Sequence, residues 1–368
     1  MKKRVAVLGA TGSIGKSSLD VLSADRDSFE VVLLTAHNDA CGLEKAAAGW
    51  PSARCILSGG MHGKENLLAA IREIRADITI NGISGAAGLE PSLAAIESGS
   101  MLALANKETV VMAGPLVFKM AAEKNVNIIP VDSEHSAVFH LLKAHGSQRI
   151  AEVILTASGG PFRKAGLKEM ENASPEAALA HPTWNMGPKI TIDSATMANK
   201  GLEIIEAAFF FNLPPEKIKV IIHPQSIVHS MVRLTNGVIY AQLSTPDMRH
   251  PIRDALYWPA AACSDLETLD FDCLTLEFEK PDLQRFPMLG FAWEAVRKGG
   301  LYPCAYNGAN EIAVAAFLRR EIGFLDISRV VEHVLEKDWG CESDSLEAVF
   351  ETDTRARSLA DSFLRKKI

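Results

Sequence analysis

Short apolar runs alternate with helix-patterned segments, without interruption, from residue 4 to residue 131. The apolar runs are 4–8, 29–35, 53–57, 77–80, 101–105 and 126–131. Segments 14–24, 42–48, 64–74, 89–97 and 115–123 lie between them and carry helical spacing. A strand covered on both faces reads as a continuous apolar run, and parallel neighbours need a crossover helix. Strict alternation therefore predicts an α/β fold with a Rossmann-like parallel sheet at the N-terminus.

The first strand runs directly into Gly9-Ala10-Thr11-Gly12-Ser13-Ile14-Gly15, which opens the first helix. Glycines there let backbone amides approach a pyrophosphate at a helix N-terminus, where the dipole favours an anion. Thr11 and Ser13 add hydroxyl donors. The second strand ends in His37-Asn38, with no acid before Asp39. An acid at that tip holds the ribose 2′-hydroxyl of NAD, so its absence points towards NADP.

Two loops at later strand ends, 85–88 and Asn106-Lys107-Glu108, lie where doubly wound sheets bind ligands. Lys107 at a helix start opposes the dipole, which favours a functional role. Asp132 and Glu134 follow the sixth strand. In extended backbone they share one side, and two adjacent carboxylates need a cation or a raised pKa. With Glu203 they form a hard-oxygen set suited to Mg²⁺ or Mn²⁺. Helix capping by Asp132 or Ser133 is the plainer alternative.

Residues 181–211 concentrate further chemistry. A Pro- and Gly-punctuated loop carries Trp184 and Met186, followed by a β-like run at 189–193 and a helix bearing Ser194, Asn199, Lys200 and Glu203. A hydroxyl, an amide and an ammonium in one span suit a phosphate. Ser158-Gly159-Gly160, after a strand at 151–157, is a candidate anion nest. Strands at 226–234 and 238–244 flank Asn236-Gly237, a hairpin signal, and such a hairpin could pair across a homodimer interface. Segment 245–251 reads as a loop. Helical patterns at 288–298, 307–320, 326–336, 343–350 and 352–367 predict a C-terminal helical bundle. The expected organisation is a nucleotide-binding domain at 1–131, a central α/β catalytic domain with the hairpin at 132–262, a linker at 263–285 and helices at 286–368.

A net charge of −7 implies no broad basic face for nucleic acid. No apolar run approaches membrane-spanning length, and the N-terminus lacks a secretory h-region. Six cysteines without CxxC or zinc spacing suit a reducing, cytoplasmic setting.

GATGSIG at 9–15, LANKE at 104–108, PVDSEH at 130–135, SGGPFR at 158–163, HPTWNMG at 181–187, DSATMANKGLE at 193–203, HPQSIVHSMV at 223–232, PDMRHPI at 246–252 and NGANEIAVAAFL at 307–318 stand in one order along the chain. Together they closely resemble the 1-deoxy-D-xylulose 5-phosphate reductoisomerase family. The resemblance implies an NADPH-dependent, metal-dependent enzyme acting on a phosphorylated sugar, with Mg²⁺ or Mn²⁺ as the ion and Co²⁺ as a further candidate. It assigns Asp132, Glu134 and Glu203 to the metal, with Lys107 and Ser133 close by. Ser158, Ser194, Asn199 and Lys200 would grip the substrate phosphate, and His181, Trp184 and Met186 would form a lid. Gly9, Thr11, Gly12, Ser13 and Ile14 would hold the pyrophosphate. His37, Asn38, Asn106, Glu108, Gly187 and Met248 complete the implied cofactor contacts. The family often carries a small residue, lysine and asparagine after its second strand, where this chain has His37-Asn38-Asp39.

Overall fold

The computed structural model describes every residue except 185, 262, 264, 342–344 and 368. Asn185 of the expected lid, Ser343 at an expected helix start, and boundary positions 262 and 368 therefore lie outside the described residues. In chain order the elements begin β1 (Lys3–Leu8), α1 (Ser13–Ala24), β2 (Phe29–Ala36), α2 (Ala40–Ala48), β3 (Arg54–Leu57) and α3 (Gly63–Ile74). Next come β4 (Ile78–Asn81), α4 (Leu89–Glu97), β5 (Met101–Leu104), α5 (Lys107–Lys124), β6 (Ile128–Pro130) and α6 (Ser133–His145). They continue as β7 (Ile150–Ala157), α7 (Leu167–Glu171), α8 (Pro175–Leu179), α9 (Pro188–Ala195), α10 (Ala198–Phe210), β8 (Ile218–Ile222), β9 (Val228–Leu234) and β10 (Ile239–Leu243). The remaining helices are α11 (Arg249–Tyr257), α12 (Met288–Lys298), α13 (Tyr302–Leu318), α14 (Asp326–Leu335) and α15 (Leu346–Lys367). Two compact units result. One takes residues 1–109, 117–136 and 247–267, and the other takes 110–116, 137–246 and 268–368.

The first unit holds a six-stranded sheet in the order β3-β2-β1-β4-β5-β6, parallel throughout. Val5 stands opposite Ile78 and Val7 opposite Ile80. These residues and Leu8, Leu33, Leu34 and Leu102 are buried, as expected for strands covered on both faces. The order reverses at β1, between β2 and β4. Such a switch point opens a crevice at the carboxyl ends of the strands. Helix α11 belongs to this unit. Lys3 Nζ donates to Leu256 O at 3.2 Å, and Tyr257 donates its hydroxyl to Asp25. Burial, then the Asp25 carboxylate, pushes the Tyr257 phenol up to about 12.

The second unit holds a sheet in the order β10-β9-β7-β8, with β7 and β8 parallel and the β7–β9 and β9–β10 pairs antiparallel. Gly237 turns the β9–β10 hairpin at φ +86°, the left-handed region that glycine enters without a Cβ penalty. Leu202, Ile205, Tyr306, Phe317, Val330 and Trp339 share one core with the inner face of β7. Truncating a side chain as large as Trp339 to alanine there costs about 3–5 kcal/mol.

Several local expectations fail for identifiable reasons. Segment 189–193 is helical. Gly187 is extended ahead of Pro188, which occupies the first helical turn, where its missing N–H costs nothing. Ser194 and Lys200 do not share a helix. Helix α9 ends at Ala195, Met197 adopts φ +63°, and α10 starts afresh. Asp132 and Glu134 do not lie on extended backbone, because β6 stops at Pro130 and Glu134 falls in the first turn of α6. Helix α5 begins at Lys107, eight residues before the expected start of 115. Its kink at Ala113 precedes Pro115, which hides the continuity. Residues 249–251 begin a helix, with Pro251 in its first turn. The last two expected helices are one, α15, and α13 starts at Tyr302 instead of 307.

Candidate active site

The Gly9–Gly15 turn connects β1 to α1 at the switch point. Gly9 has φ +80°, and a Cβ there would lie 2.9 Å from Gly82 O, so this position requires glycine. A Cβ on Gly15 would come within 2.3 Å of Gly9 O, so the helix packs tightly on its own turn. Thr35 Oγ1 accepts from Gly9 N at 3.1 Å, and Ala10 N donates to Thr35 O. Gly12 starts α1 without a side-chain cap. The first amides of α1, beside Thr11, Ser13 and Ile14, thus lack a side-chain cap, the kind of helix terminus at which an anion can bind.

At the tip of β2, His37 and Asn38 are exposed. His37 Nδ1 lies 3.3 Å from Ser58 Oγ, and Gly59 N donates to His37 O at 2.9 Å. Asp39 is occupied elsewhere. Its Oδ1 accepts from Gly42 N at 2.9 Å, making it the N-cap of α2. The loop after β5 is equally ordered. Asn106 caps α5 by accepting from Thr109 N at 2.9 Å, and its Nδ2 donates to Ile83 O, Gly85 O and Glu108 Oε2.

Lys107 is buried, and its Nζ donates to Asp132 Oδ2 at 2.9 Å. Asp132 Oδ1 accepts from Glu134 N at 3.1 Å, His135 N at 3.3 Å and His135 Nδ1 at 2.9 Å. Asp132 therefore does cap α6 while also meeting the lysine. Glu134 Oε2 accepts from Ser133 Oγ at 2.5 Å. His135 escaped the sequence reading; its signal was the i,i+3 spacing from Asp132. Lys107, Asp132, Ser133 and Glu134 thus gather at the carboxyl edge of the first sheet. Met248 stands at the N-terminus of α11 in the same unit.

In the second unit, Ser158 ends β7 and its Oγ lies 3.0 Å from His181 Nε2. His181 Nδ1 accepts from Thr183 N at 3.1 Å and Trp184 N at 2.9 Å. Nδ1 is thus the acceptor, and Nε2 carries the proton donated to Ser158. Burial lowers the His181 pKa, which fits that neutral tautomer. Gly160, at φ +66°, lets the Ser158-Gly159-Gly160 turn lie against Ser194; a Cβ would sit 2.7 Å from Ser194 O. On α10, Glu203 Oε1 accepts from Asn199 Nδ2 at 2.6 Å, and Glu203 Oε2 accepts from Lys200 Nζ. Lys200 and Glu203 are both buried. Trp184 and Met186 are half-buried, and Gly187 is the extended residue before α9.

A dinucleotide turn on a doubly wound sheet, with a buried ammonium and half-buried carboxylates at its carboxyl edge, defines a nucleotide-dependent α/β enzyme. Residues 5–114 match the 1-deoxy-D-xylulose 5-phosphate reductoisomerase family model, 128–211 its C-terminal domain model, and 243–359 the model described as DXP reductoisomerase C-terminal domain. The chain is 46% identical to the 1-deoxy-D-xylulose 5-phosphate reductoisomerase of Chlorobium chlorochromatii over 98% of its own length and all of the relative. It is also 46% identical to that of Treponema denticola, covering 98% of this chain and 96% of that one. The Zymomonas mobilis reductoisomerase in complex with NADPH is similar in structure, with TM-score 0.91 and 43% identity across 99% of both chains. A DOX-P reductoisomerase in complex with NADPH, fosmidomycin and magnesium has TM-score 0.91 and 37% identity, covering 99% of this chain and 98% of that one. The chain belongs to the 1-deoxy-D-xylulose 5-phosphate reductoisomerase family.

Proposed function

We propose that this chain binds NADPH, a divalent cation and 1-deoxy-D-xylulose 5-phosphate through the residues assembled above. As a member of its family it is an NADPH- and divalent-metal-dependent oxidoreductase. It rearranges and reduces 1-deoxy-D-xylulose 5-phosphate to 2-C-methyl-D-erythritol 4-phosphate, in isoprenoid precursor synthesis. The observation that carries the site assignment is the buried Lys107–Asp132 contact beside Ser133 and Glu134, at the edge of the sheet that bears the Gly9–Gly15 turn.

Asp132, Glu134 and Glu203 would hold the metal. Their carboxylates are hard oxygen donors, and none of the assigned donors is a soft sulfur, which fits Mg²⁺ and also Mn²⁺. A bound divalent ion supplies Lewis acidity to the ketone and hydroxyl oxygens of the substrate. The chain's own groups do the rest. Lys107 places a positive charge where negative charge develops on substrate oxygen. Ser158, Ser194, Asn199 and Lys200 supply two hydroxyls, an amide and an ammonium to the phosphate. Binding energy from that remote phosphate is available to close the His181–Gly187 loop over the carbon chain, excluding water while hydride is delivered. The amides of α1 with Gly9, Thr11, Gly12, Ser13 and Ile14 hold the pyrophosphate. His37, Asn38, Asn106, Glu108, Gly187 and Met248 supply the other cofactor contacts.

The domain reading assigns 1–131 to the cofactor, 132–262 to catalysis, 263–285 to a linker and 286–368 to a helical domain. A homodimer is supported by β10, an edge strand of the second sheet on which Ile239 and Tyr240 are exposed beside Val238. Such an edge invites pairing with another strand. Among the described residues no helix is long and apolar enough to cross a membrane. Six free cysteines support a cytoplasmic, reducing setting.

The deciding assay follows NADPH absorbance with 1-deoxy-D-xylulose 5-phosphate, after EDTA treatment and again after adding Mg²⁺ or Mn²⁺. Oxidation that requires both substrate and metal is the expected outcome. Folded, NADPH-binding protein without metal-dependent oxidation would sink the reading.

A further inference from the structure

The helix α13 carries polar residues, Tyr306, Asn307 and Asn310, that are fully buried in the second core and have no part in the reaction described above. Asn310 Nδ2 donates to Asp193 Oδ1 at 2.8 Å, across 117 residues of chain. Asn310 Oδ1 makes no hydrogen bond among the described residues. A buried amide is costly against an apolar residue of similar size unless it is bonded, and here its donor side is committed to Asp193. Asp193 is buried too, and its other oxygen, Oδ2, lies 2.8 Å from Lys189 Nζ. Asp193 is on α9, one residue before Ser194, and Lys189 is near the start of the same helix.

One turn away on α13, on the same face, Tyr306 meets the other helix of the pair. A Cβ added to Gly201 of α10 would lie 2.3 Å from the Tyr306 hydroxyl, 3.2 Å from Ala292 Cβ and 3.2 Å from Met288 O. The Tyr306 hydroxyl donates to Met288 O at 3.3 Å. Gly201 follows Lys200 and sits two residues before Glu203. Between α9 and α10 the chain turns on Met197, held at φ +63°. Residues 306 and 310, spaced i and i+4, therefore grip both arms of one elbow. That elbow carries Ser194, Asn199, Lys200 and Glu203.

We propose that the Tyr306–Asn310 face of α13 is a clamp that fixes the angle of the α9–α10 elbow, and so sets affinity for the phosphate of the substrate. Asn310, Asp193, Tyr306 and Gly201 are positioning residues; none needs to touch substrate. The proposal rests on the assignment of Ser194, Asn199 and Lys200 to the phosphate. A grip built from groups on two helices is accurate only if the helices hold their mutual geometry, and misplacement by about 1 Å is enough to cost binding and turnover.

The test uses two rescue pairs in the full chain. Asn310→Asp sets two carboxylates against each other, and adding Asp193→Asn restores an amide–carboxylate bond in the opposite sense. Gly201→Ala pushes α10 off Tyr306, and adding Tyr306→Phe removes the clashing hydroxyl. Each disruptive variant should raise KM for 1-deoxy-D-xylulose 5-phosphate by about fivefold or more, with KM for NADPH within about twofold of the parent. Each partner substitution should recover most of that loss. Ki for inorganic phosphate as a competitor should move in parallel. Unchanged KM for the sugar phosphate overturns the clamp. So does a rise in both KM values in step with falling Tm, failure of both rescues, or loss of folding in both pairs, since these mark a plain core role. Parent enzyme without metal-dependent turnover is a different failure, that of the activity itself.

Discussion

Lys107 Nζ lies 2.9 Å from Asp132 Oδ2, with the two side chains only 6% and 12% exposed. Removing the ammonium leaves the carboxylate enclosed with the His135 ring and two backbone amides but without that charge. Breaking a buried pair from one side costs about 3 kcal/mol. Lys107→Met should lower Tm by ~5 °C, and turnover by roughly 10²-fold if the ammonium also stabilises charge on substrate oxygen. Calorimetry and steady-state kinetics separate the two effects. A stable variant with normal turnover would remove Lys107 from the reaction.

Glu203 accepts from both Asn199 and Lys200 on its own helix. Glu203→Gln keeps the size and one acceptor oxygen but loses the charge. If Glu203 is a metal ligand, turnover should fall by at least the roughly 10-fold to 100-fold seen when a ligand's supporting partner is lost. NADPH affinity, read by fluorescence titration, should stay within about twofold of the parent. Intact turnover at limiting Mg²⁺ would mean that Glu203 is not a ligand.

The parallel sheet was legible because its evidence is local. Each buried strand announces itself as an apolar run, and Gly9 to Gly15 marks the switch point. The elbow was not legible in the same way. Ile190, Thr191 and Ile192 are β-prone, and only packing of α9 on α8, α10 and α13 keeps them helical. Asp132 illustrates the same limit. A cap and a ligand are equally readable at that position, and the carboxylate caps α6 while meeting Lys107. Asp193 and Asn310 were invisible as a pair, since nothing local links residues 117 positions apart.

His181 predicts a pH dependence. Burial lowers its pKa, and its Nδ1 accepts from the amides of Thr183 and Trp184. Protonation would turn that acceptor into a donor facing two N–H groups. For a base whose folded pKa is depressed, stability is complete above the unfolded value near 6.5 and is lost as pH falls from there through the folded value. The loop should therefore loosen below about pH 6.5. A ¹⁹F resonance from fluorotryptophan at 184, assigned with Trp184→Phe, should shift in that window. The shift should vanish in His181→Gln, and a shift that persists would place the titrating group elsewhere.

The edge of β10 gives a test of assembly. Ile239 is 43% exposed on a strand whose outer side has no neighbour in the sheet among the described residues. A lysine there disfavours edge pairing. Ile239→Lys should shift sedimentation from dimer to monomer at micromolar concentration. A parent chain that sediments as a monomer would discard the edge as an interface.

Cofactor choice follows from how Asp39 is used. An acid at the tip of β2 selects NAD by holding the ribose 2′-hydroxyl. Asp39 is the nearest acid, but its carboxylate faces Gly42 N and caps α2. What the tip offers instead is His37 and Asn38, both exposed, with Ser58 beside the imidazole. Such groups would donate to a 2′-phosphate and would not repel it. Replacing His37 with aspartate puts a carboxylate where a second anion must sit. The ratio of kcat/KM for NADPH over NADH should fall by about tenfold or more, some 1.4 kcal/mol of discrimination. His37→Asn, which keeps a donor without the charge of aspartate, should stay closer to the parent. An aspartate variant with the parental ratio would show that the 2′-phosphate lies away from the β2 tip, and that Asn38 and Ser58 have no share in holding it.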